Sequence, residues 1–167
     1  MWQYILTSIS AVLFFGFVIW GVYLFGLLSC YSAYAPKWQS PTLVNLNWWQ
    51  LVTATTALLI IPVTIQTAVG NPWQCFSFLA PVSLLLVAST PGYQTDKFQN
   101  VVHQIGAWSA VVLILTYSIL IPKLLWVFIP LTVIAVLLGI WKKGTLMFWA
   151  EMAMYLGTYV ILFVTIK

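Results

Sequence analysis

Residues 96–110 read DKFQNVVHQIGAWSA, and they contain the only histidine of the chain, His103, together with Asp96, one of its two acidic residues. The second acidic residue is Glu151. Long apolar runs flank this segment, so it is a place where polar chemistry can occur within an otherwise apolar chain. His103, Asp96 and Glu151 are therefore the first candidates for functional residues.

The composition indicates whether the folded protein is surrounded by water or by lipid. Of its 167 residues, 63% are hydrophobic and only 5% are charged, whereas a soluble domain carries about 25% charged residues. So few charged side chains cannot cover the surface of a soluble protein of this size. We therefore expect an integral membrane protein with a single transmembrane domain over residues 1–167 and no cleavable signal segment.

The charge pattern excludes several function classes. The net charge is +4, and all six basic residues are lysines, which fits lysines that anchor helix ends near lipid headgroups. No basic cluster is larger than Lys142–Lys143, so we expect no nucleic-acid partner. The absence of arginine argues against lipid phosphatases that bind phosphate through a guanidinium group.

Apolar runs separated mostly by short turns predict the fold. Each run is long enough, or nearly long enough, to cross about 30 Å of hydrocarbon. The fold class is therefore predicted to be all-α, a polytopic six-transmembrane-helix bundle with both termini on one side. The predicted spans are residues 4–29, 49–69, 73–89, 101–120, 124–141 and 145–166.

This topology brings two polar residues to one side of the membrane. The loops after the first, third and fifth spans share one face, which we name the odd-loop face. His103 and Glu151 each lie about 9–10 Å along a helix that starts there. A carboxylate that faces lipid costs about 2.5 kcal/mol or more near the bilayer centre. We therefore expect Glu151 to point into the bundle and to pair with His103, directly or through one water.

Three further polar residues complete the candidate site. Asp96 and Gln99 are three residues apart before the fourth span, which is the spacing of a helix N-cap and its reciprocal partner, so a structural role is favoured for Asp96. Tyr155 is predicted to lie on the same face of the last span as Glu151. The polar site candidates are thus His103, Glu151, Asp96, Gln99 and Tyr155, with no residue assigned as catalytic or as a metal ligand.

Cofactor sites and a disulfide are not expected. A b-type haem usually needs two axial histidines, and a zinc site would need Asp96 to join His103 and Glu151. Ser109 lies about 120° around the helix from His103, so the two residues do not form a nucleophile and base on one face. The two cysteines, Cys30 and Cys75, are predicted to be free thiols near opposite membrane surfaces.

The segment His103-Gln104-Ile105-Gly106-Ala107 resembles the His-x-x-Gly-Ala pattern of the Frag1/DRAM/Sfk1 group of six-span membrane proteins, whose bacterial relatives include the DUF998 family. Glu151 looks like the acidic position in the last helix of that group. Gln104 departs from the pattern, because the group often has an acidic residue directly after the histidine. The resemblance implies a lipid-associated membrane protein and no established catalytic mechanism.

Two function classes follow from these residues. The first is a lipid-binding or scaffolding membrane protein, in which His103 and Glu151 form a buried structural pair and membrane lipids are the partners. The alternative is a proton-coupled transporter or intramembrane enzyme that uses the pair for acid–base chemistry. The small size and short loops favour a bacterial inner membrane. The distribution of lysines favours a cytoplasmic odd-loop face, whereas the family resemblance favours cytoplasmic termini.

Overall fold

A computed structural model of the protein describes residues 1–38, 47–121 and 123–166. These residues form α-helices, short 3-10 helices and turns, which confirms the all-α class. The 3-10 helices are Tyr31–Trp38 and Leu125–Val127. The α-helices are α1 (Trp2–Phe25), α2 (Trp48–Thr67), α3 (Cys75–Ala88), α4 (Lys97–Leu120), α5 (Phe128–Trp141) and α6 (Leu146–Thr165).

The helices differ in length. In the described residues, four helices are long and apolar enough to cross a membrane, namely α1, α2, α4 and α6. α3 and α5 each have 14 residues, which corresponds to a length of about 21 Å against a hydrocarbon thickness of about 30 Å. That α3 and α5 also cross the membrane completely, which would give six crossings, therefore stays a prediction.

The outer surface of the bundle is apolar. Val12 on α1, Trp108 on α4 and Leu137 on α5 expose 72%, 61% and 61% of their surface. Soluble monomers rarely expose large contiguous apolar areas, because water penalises them. These exposed side chains are compatible with a lipid environment.

Contacts at both ends of α6 show how it lies against α1. The Phe148 N–H donates to the Ser29 carbonyl at 2.9 Å, and the Tyr4 hydroxyl donates to the Ile166 carbonyl at 3.0 Å. The start of α6 therefore meets the end of α1, and the end of α6 meets the start of α1. This antiparallel arrangement confirms that the start of α1 and the end of α6 lie at the same end of the bundle.

The loops of the odd-loop face also meet. The Ser32 hydroxyl, after α1, donates to the Tyr93 hydroxyl, after α3, at 3.3 Å. The 3-10 helix Tyr31–Trp38 turns back over the bundle, where the Tyr34 hydroxyl donates to the Gly26 carbonyl at 2.7 Å. Its buried aromatic side chains close this end of the core.

The start of α4 confirms the predicted cap and corrects its partner. Asp96 accepts a hydrogen bond from the Gln99 N–H at 3.0 Å, as an N-cap residue should. The Gln99 side chain, however, accepts from the Gly92 N–H at 2.9 Å rather than from Asp96. The reciprocal half of the predicted capping box is therefore wrong, because the tight turn before the helix offers Gln99 a different donor.

Candidate functional site

His103 is buried at the odd-loop end of the bundle, with 4% of its surface exposed. Its Nδ1 atom lies 3.1 Å from the Thr90 Oγ1 atom. The Tyr93 ring stacks on the imidazole at a centroid distance of 4.0 Å and an angle of 12°. The Trp49 ring lies farther away, at 6.4 Å and 29°. The histidine is thus held by one hydroxyl and two aromatic rings.

The hydrogen bonds of Thr90 favour one tautomer of His103. The Thr90 hydroxyl has two backbone carbonyls as acceptors for its single proton, that of Val87 at 2.9 Å and that of Leu86 at 3.3 Å. Its oxygen is then left to accept, so we expect the Nδ1 atom of His103 to carry the proton in a neutral ring. The Nε2 atom consequently presents a lone pair, which can accept a proton or a hydrogen bond.

Tyr93 joins two loops above His103. Its hydroxyl accepts hydrogen bonds from Ser32 at 3.3 Å and from the Gln94 amide at 3.0 Å, and the Cys30 sulfur lies 4.0 Å away. Burial raises the pKa of the Tyr93 phenol, so the ring stays neutral at physiological pH. The position of this ring against His103 therefore depends on the contact between the loops after α1 and α3.

Glu151 bonds to the main chain of the first loop. Its Oε2 atom accepts a hydrogen bond from the Tyr31 N–H at 2.5 Å. Three residues earlier, the Phe148 N–H donates to the Ser29 carbonyl at 2.9 Å. These two bonds run in opposite directions and tie residues 29–31 to the first turns of α6. No sequence signal pointed to this role, because the donor is a backbone group.

The side chain of Tyr31 is buried in an aromatic cluster with Trp49 and Tyr155. It is 3% exposed, and its hydroxyl lies 3.0 Å from the Thr53 hydroxyl. The ring centroid of Tyr31 is 5.6 Å from that of Trp49 and 6.1 Å from that of Tyr155. Burial raises the pKa of the Tyr31 phenol, so it acts as a neutral hydrogen-bonding group. Sequence reasoning missed Tyr31 because nothing in its local pattern distinguishes it from an interfacial aromatic residue.

The predicted pair of His103 and Glu151 is not bonded directly. Across residues 1–38, 47–121 and 123–166, no hydrogen bond or ion pair joins the two side chains. Each has its own partner, Thr90 for the histidine and Tyr31 for the carboxylate. The rings of Trp49 and Tyr31 connect the two sites instead. A contact through one water stays a prediction.

The other predicted site residues divide between the two ends of this cluster. The Tyr155 ring stacks on Phe14 at 3.9 Å and 29°, one turn along α6 from Glu151, so it belongs to the surroundings of the carboxylate. Asp96 is exposed and caps α4, and Gln99 bonds the preceding turn. Asp96 and Gln99 thus have structural roles at the head of α4.

Within the part of the chain that the structure describes, no group of three or more His, Cys, Asp or Glu residues is placed to hold a metal ion. Both cysteines are free, as predicted. Cys30 precedes the 3-10 helix at the odd-loop end, whereas Cys75 begins α3, the helix that follows α2.

A groove of about 540 Å³ opens on the outside of the bundle between α1, α5 and α6. Sequence reasoning missed it, because its residues have the same apolar character as any surface that faces lipid. Small residues on α5 and α6, Ala135 and Ala153, form part of its wall. The remaining lining residues are Phe15, Val18, Ile19, Val22, Leu27, Leu131, Ile134, Leu138, Phe148, Trp149, Met152 and Leu156.

Comparison of the chain with protein-family models, with curated proteins and with solved structures finds no match.

Proposed function

We propose that this chain is an integral membrane protein that binds a membrane lipid through an acyl chain held in the groove between α1, α5 and α6. The observation that carries the proposal is the groove itself. Its volume of about 540 Å³ falls within the range of small-molecule sites, roughly 300–1,000 Å³. Its lining is almost entirely apolar, which suits a hydrocarbon chain.

The dimensions of the groove also suit one acyl chain. Along α6 it extends from Phe148 to Leu156, a rise of about 12 Å. Half of a bilayer's hydrocarbon is about 15 Å thick, so the groove covers most of one leaflet. A polar ligand would lose its hydration there without gaining hydrogen bonds, whereas a hydrocarbon chain that enters from the bilayer has no hydration to lose.

Filling the groove tests this function. Val22 lines the groove and is partly buried, whereas Val12 is exposed on α1 outside the groove. We expect Val22→Trp to reduce the lipid that the protein retains in native mass spectrometry from nanodiscs by about tenfold, and Val12→Trp to have no effect. The large indole occupies the volume of the chain in the first variant and projects into bulk lipid in the second. Equal retention by both variants would contradict the proposal.

A second function is favoured by the position of Glu151. Its carboxylate lies within the bundle, and in the described residues its bonded partner is the Tyr31 N–H rather than a basic side chain. Ionisable residues inside membrane helices often mark proton pathways. Proton-coupled transport or intramembrane acid–base chemistry is therefore the alternative, with Glu151 as the proton carrier and the Nε2 atom of His103 as a further acceptor.

Proton movement distinguishes the two functions. Proteoliposomes that contain a pH-sensitive dye would report proton uptake under an imposed membrane potential. If the alternative function is correct, the natural protein takes up protons, and Glu151→Gln loses this uptake while it stays folded. Lipid binding alone expects no uptake by either protein.

The location and family are also proposals. We infer a bacterial inner membrane, since most of the turns between the helices are short. The resemblance of residues 103–107 to the Frag1/DRAM/Sfk1 group favours the lipid-associated function, and membership of that group stays a prediction.

A further inference from the structure

On α5 the residues that line the groove end at Leu138, four residues before the only adjacent pair of lysines in the sequence, Lys142 and Lys143. We propose that these two lysines bind the headgroup of the lipid whose chain occupies the groove, so that the ligand is an anionic phospholipid. This inference rests on the proposed lipid-binding function and adds the chemical class of the ligand.

The register of α5 connects the lysines to the groove. Leu131, Ala135 and Leu138 line the groove at helical spacing, and Lys142 follows Leu138 by four residues. The Lys142 N–H donates to the Leu138 carbonyl at 2.8 Å, so the backbone keeps its helical hydrogen bond as far as this lysine. Residues four apart share a helix face, and Lys142 therefore continues the stripe that lines the groove.

The distance along α5 from the inner end of the groove to Lys142 matches the thickness of one lipid leaflet. From Leu131, at the inner end, to Lys142 the rise along α5 is about 16 Å. This is close to half of the roughly 30 Å hydrocarbon thickness. A lipid whose chain reaches Leu131 consequently has its phosphate near the level of the exposed lysines.

The charges around the lysines favour an anion. Both lysines are exposed, and the adjoining N-terminal end of α6 carries a partial positive charge. The chain has two acidic residues, and both accept hydrogen bonds elsewhere. Asp96 caps α4, and Glu151 accepts a hydrogen bond from the Tyr31 N–H. Around the axis of α6, Glu151 lies about 130° away from the centre of the face that lines the groove.

The turn between α5 and α6 holds the lysines in place. The Thr145 hydroxyl donates to the Lys142 carbonyl at 2.6 Å, and Gly144 has a φ of 85°, a conformation that favours glycine. A short, bonded turn restricts the backbone of both lysines. Less ordering is then needed when they contact a phosphate.

Lipid selectivity tests the inference. The full chain is placed in nanodiscs of phosphatidylcholine mixed with phosphatidylglycerol, and native mass spectrometry identifies the lipid that stays bound. One lysine near an anionic lipid surface contributes about 1 kcal/mol, which is roughly fivefold in binding. We expect the natural protein to retain phosphatidylglycerol preferentially, and Lys142→Gln/Lys143→Gln to lose about tenfold or more of that preference while still retaining phosphatidylcholine.

A charge-matched variant provides the control. Lys37→Gln/Lys97→Gln removes the same charge from the same face at positions outside the groove, and we expect it to keep the preference. Equal loss in both double variants would overturn the inference, because it would show a general surface effect. Retention of both lipids without preference by the natural protein would also overturn it, yet leave lipid binding intact. If no lipid is retained, or if a second copy of the chain covers the groove, the proposed function itself fails.

Discussion

The backbone N–H of Tyr31 donates a hydrogen bond of 2.5 Å to the carboxylate of Glu151, across 120 residues of sequence. Tyr31 is buried, so its N–H needs an acceptor within the protein. The carboxylate provides one and ties the loop after α1 to α6. Glu151 therefore has a structural role that is independent of proton transfer.

Substitution of Glu151 should separate these two roles. Glu151→Gln keeps an acceptor oxygen, so we expect its free energy of unfolding to stay within about 1 kcal/mol of the natural protein. Glu151→Leu leaves the Tyr31 N–H unsatisfied and should lower that free energy by about 1–3 kcal/mol. Steric trapping in bicelles measures the difference. Equal stability of the two variants would show that the Tyr31 bond contributes nothing.

The tautomer of His103 can be observed directly, because the chain has one histidine. We expect ¹⁵N-histidine NMR of the reconstituted protein to show a neutral ring protonated at Nδ1, since Thr90 is available as an acceptor. Thr90→Val should shift the Nδ1–H signal or reverse the tautomer. Thr95→Val is the matched control, because that exposed hydroxyl bonds the Gly92 carbonyl instead. An Nε2-protonated ring in the natural protein would contradict the assignment.

Gly106 is predicted to be intolerant of a side chain. A Cβ atom there would lie 2.9 Å from the Leu86 Cβ and 3.0 Å from the Ser83 carbonyl oxygen, so α3 and α4 would have to separate. We expect Gly106→Ala to lower the free energy of unfolding by about 1–3 kcal/mol. Gly16→Ala is the control, since no atom lies within 4 Å of its added Cβ. The same loss at both positions would indicate an effect of helix composition rather than of packing.

Chemical labelling of the two cysteines tests whether α2 crosses the membrane. Cys30 lies before α2 and Cys75 after it, and both are free. In sealed vesicles, we expect a membrane-impermeant maleimide to label single-cysteine variants from opposite sides, with slower reaction at the partly buried Cys30. Labelling of both from one side would refute a transmembrane α2.

Local patterns predicted the local features of the candidate site. Asp96 caps α4 because a carboxylate three residues before a free N–H is sufficient for that bond. The burial of His103 agrees with the expectation that it lies inside the bundle near the odd-loop face. The partner of Gln99 was predicted wrongly, since Gly92 comes within reach only through the bend of the preceding turn.

The sequence by itself determined an all-helical chain suited to lipid, because it has too few charged residues to cover a surface that faces water. It also placed the polar residues near one end of the bundle. Only the tertiary structure decided that His103 bonds Thr90, that Glu151 bonds the backbone of Tyr31, and that a groove lies between α1, α5 and α6. The reason is physical: in a chain that is apolar on nearly every face, hydrophobicity does not distinguish buried from lipid-facing surfaces. Helix pairing then depends on steric fit and on a few hydrogen bonds between distant residues.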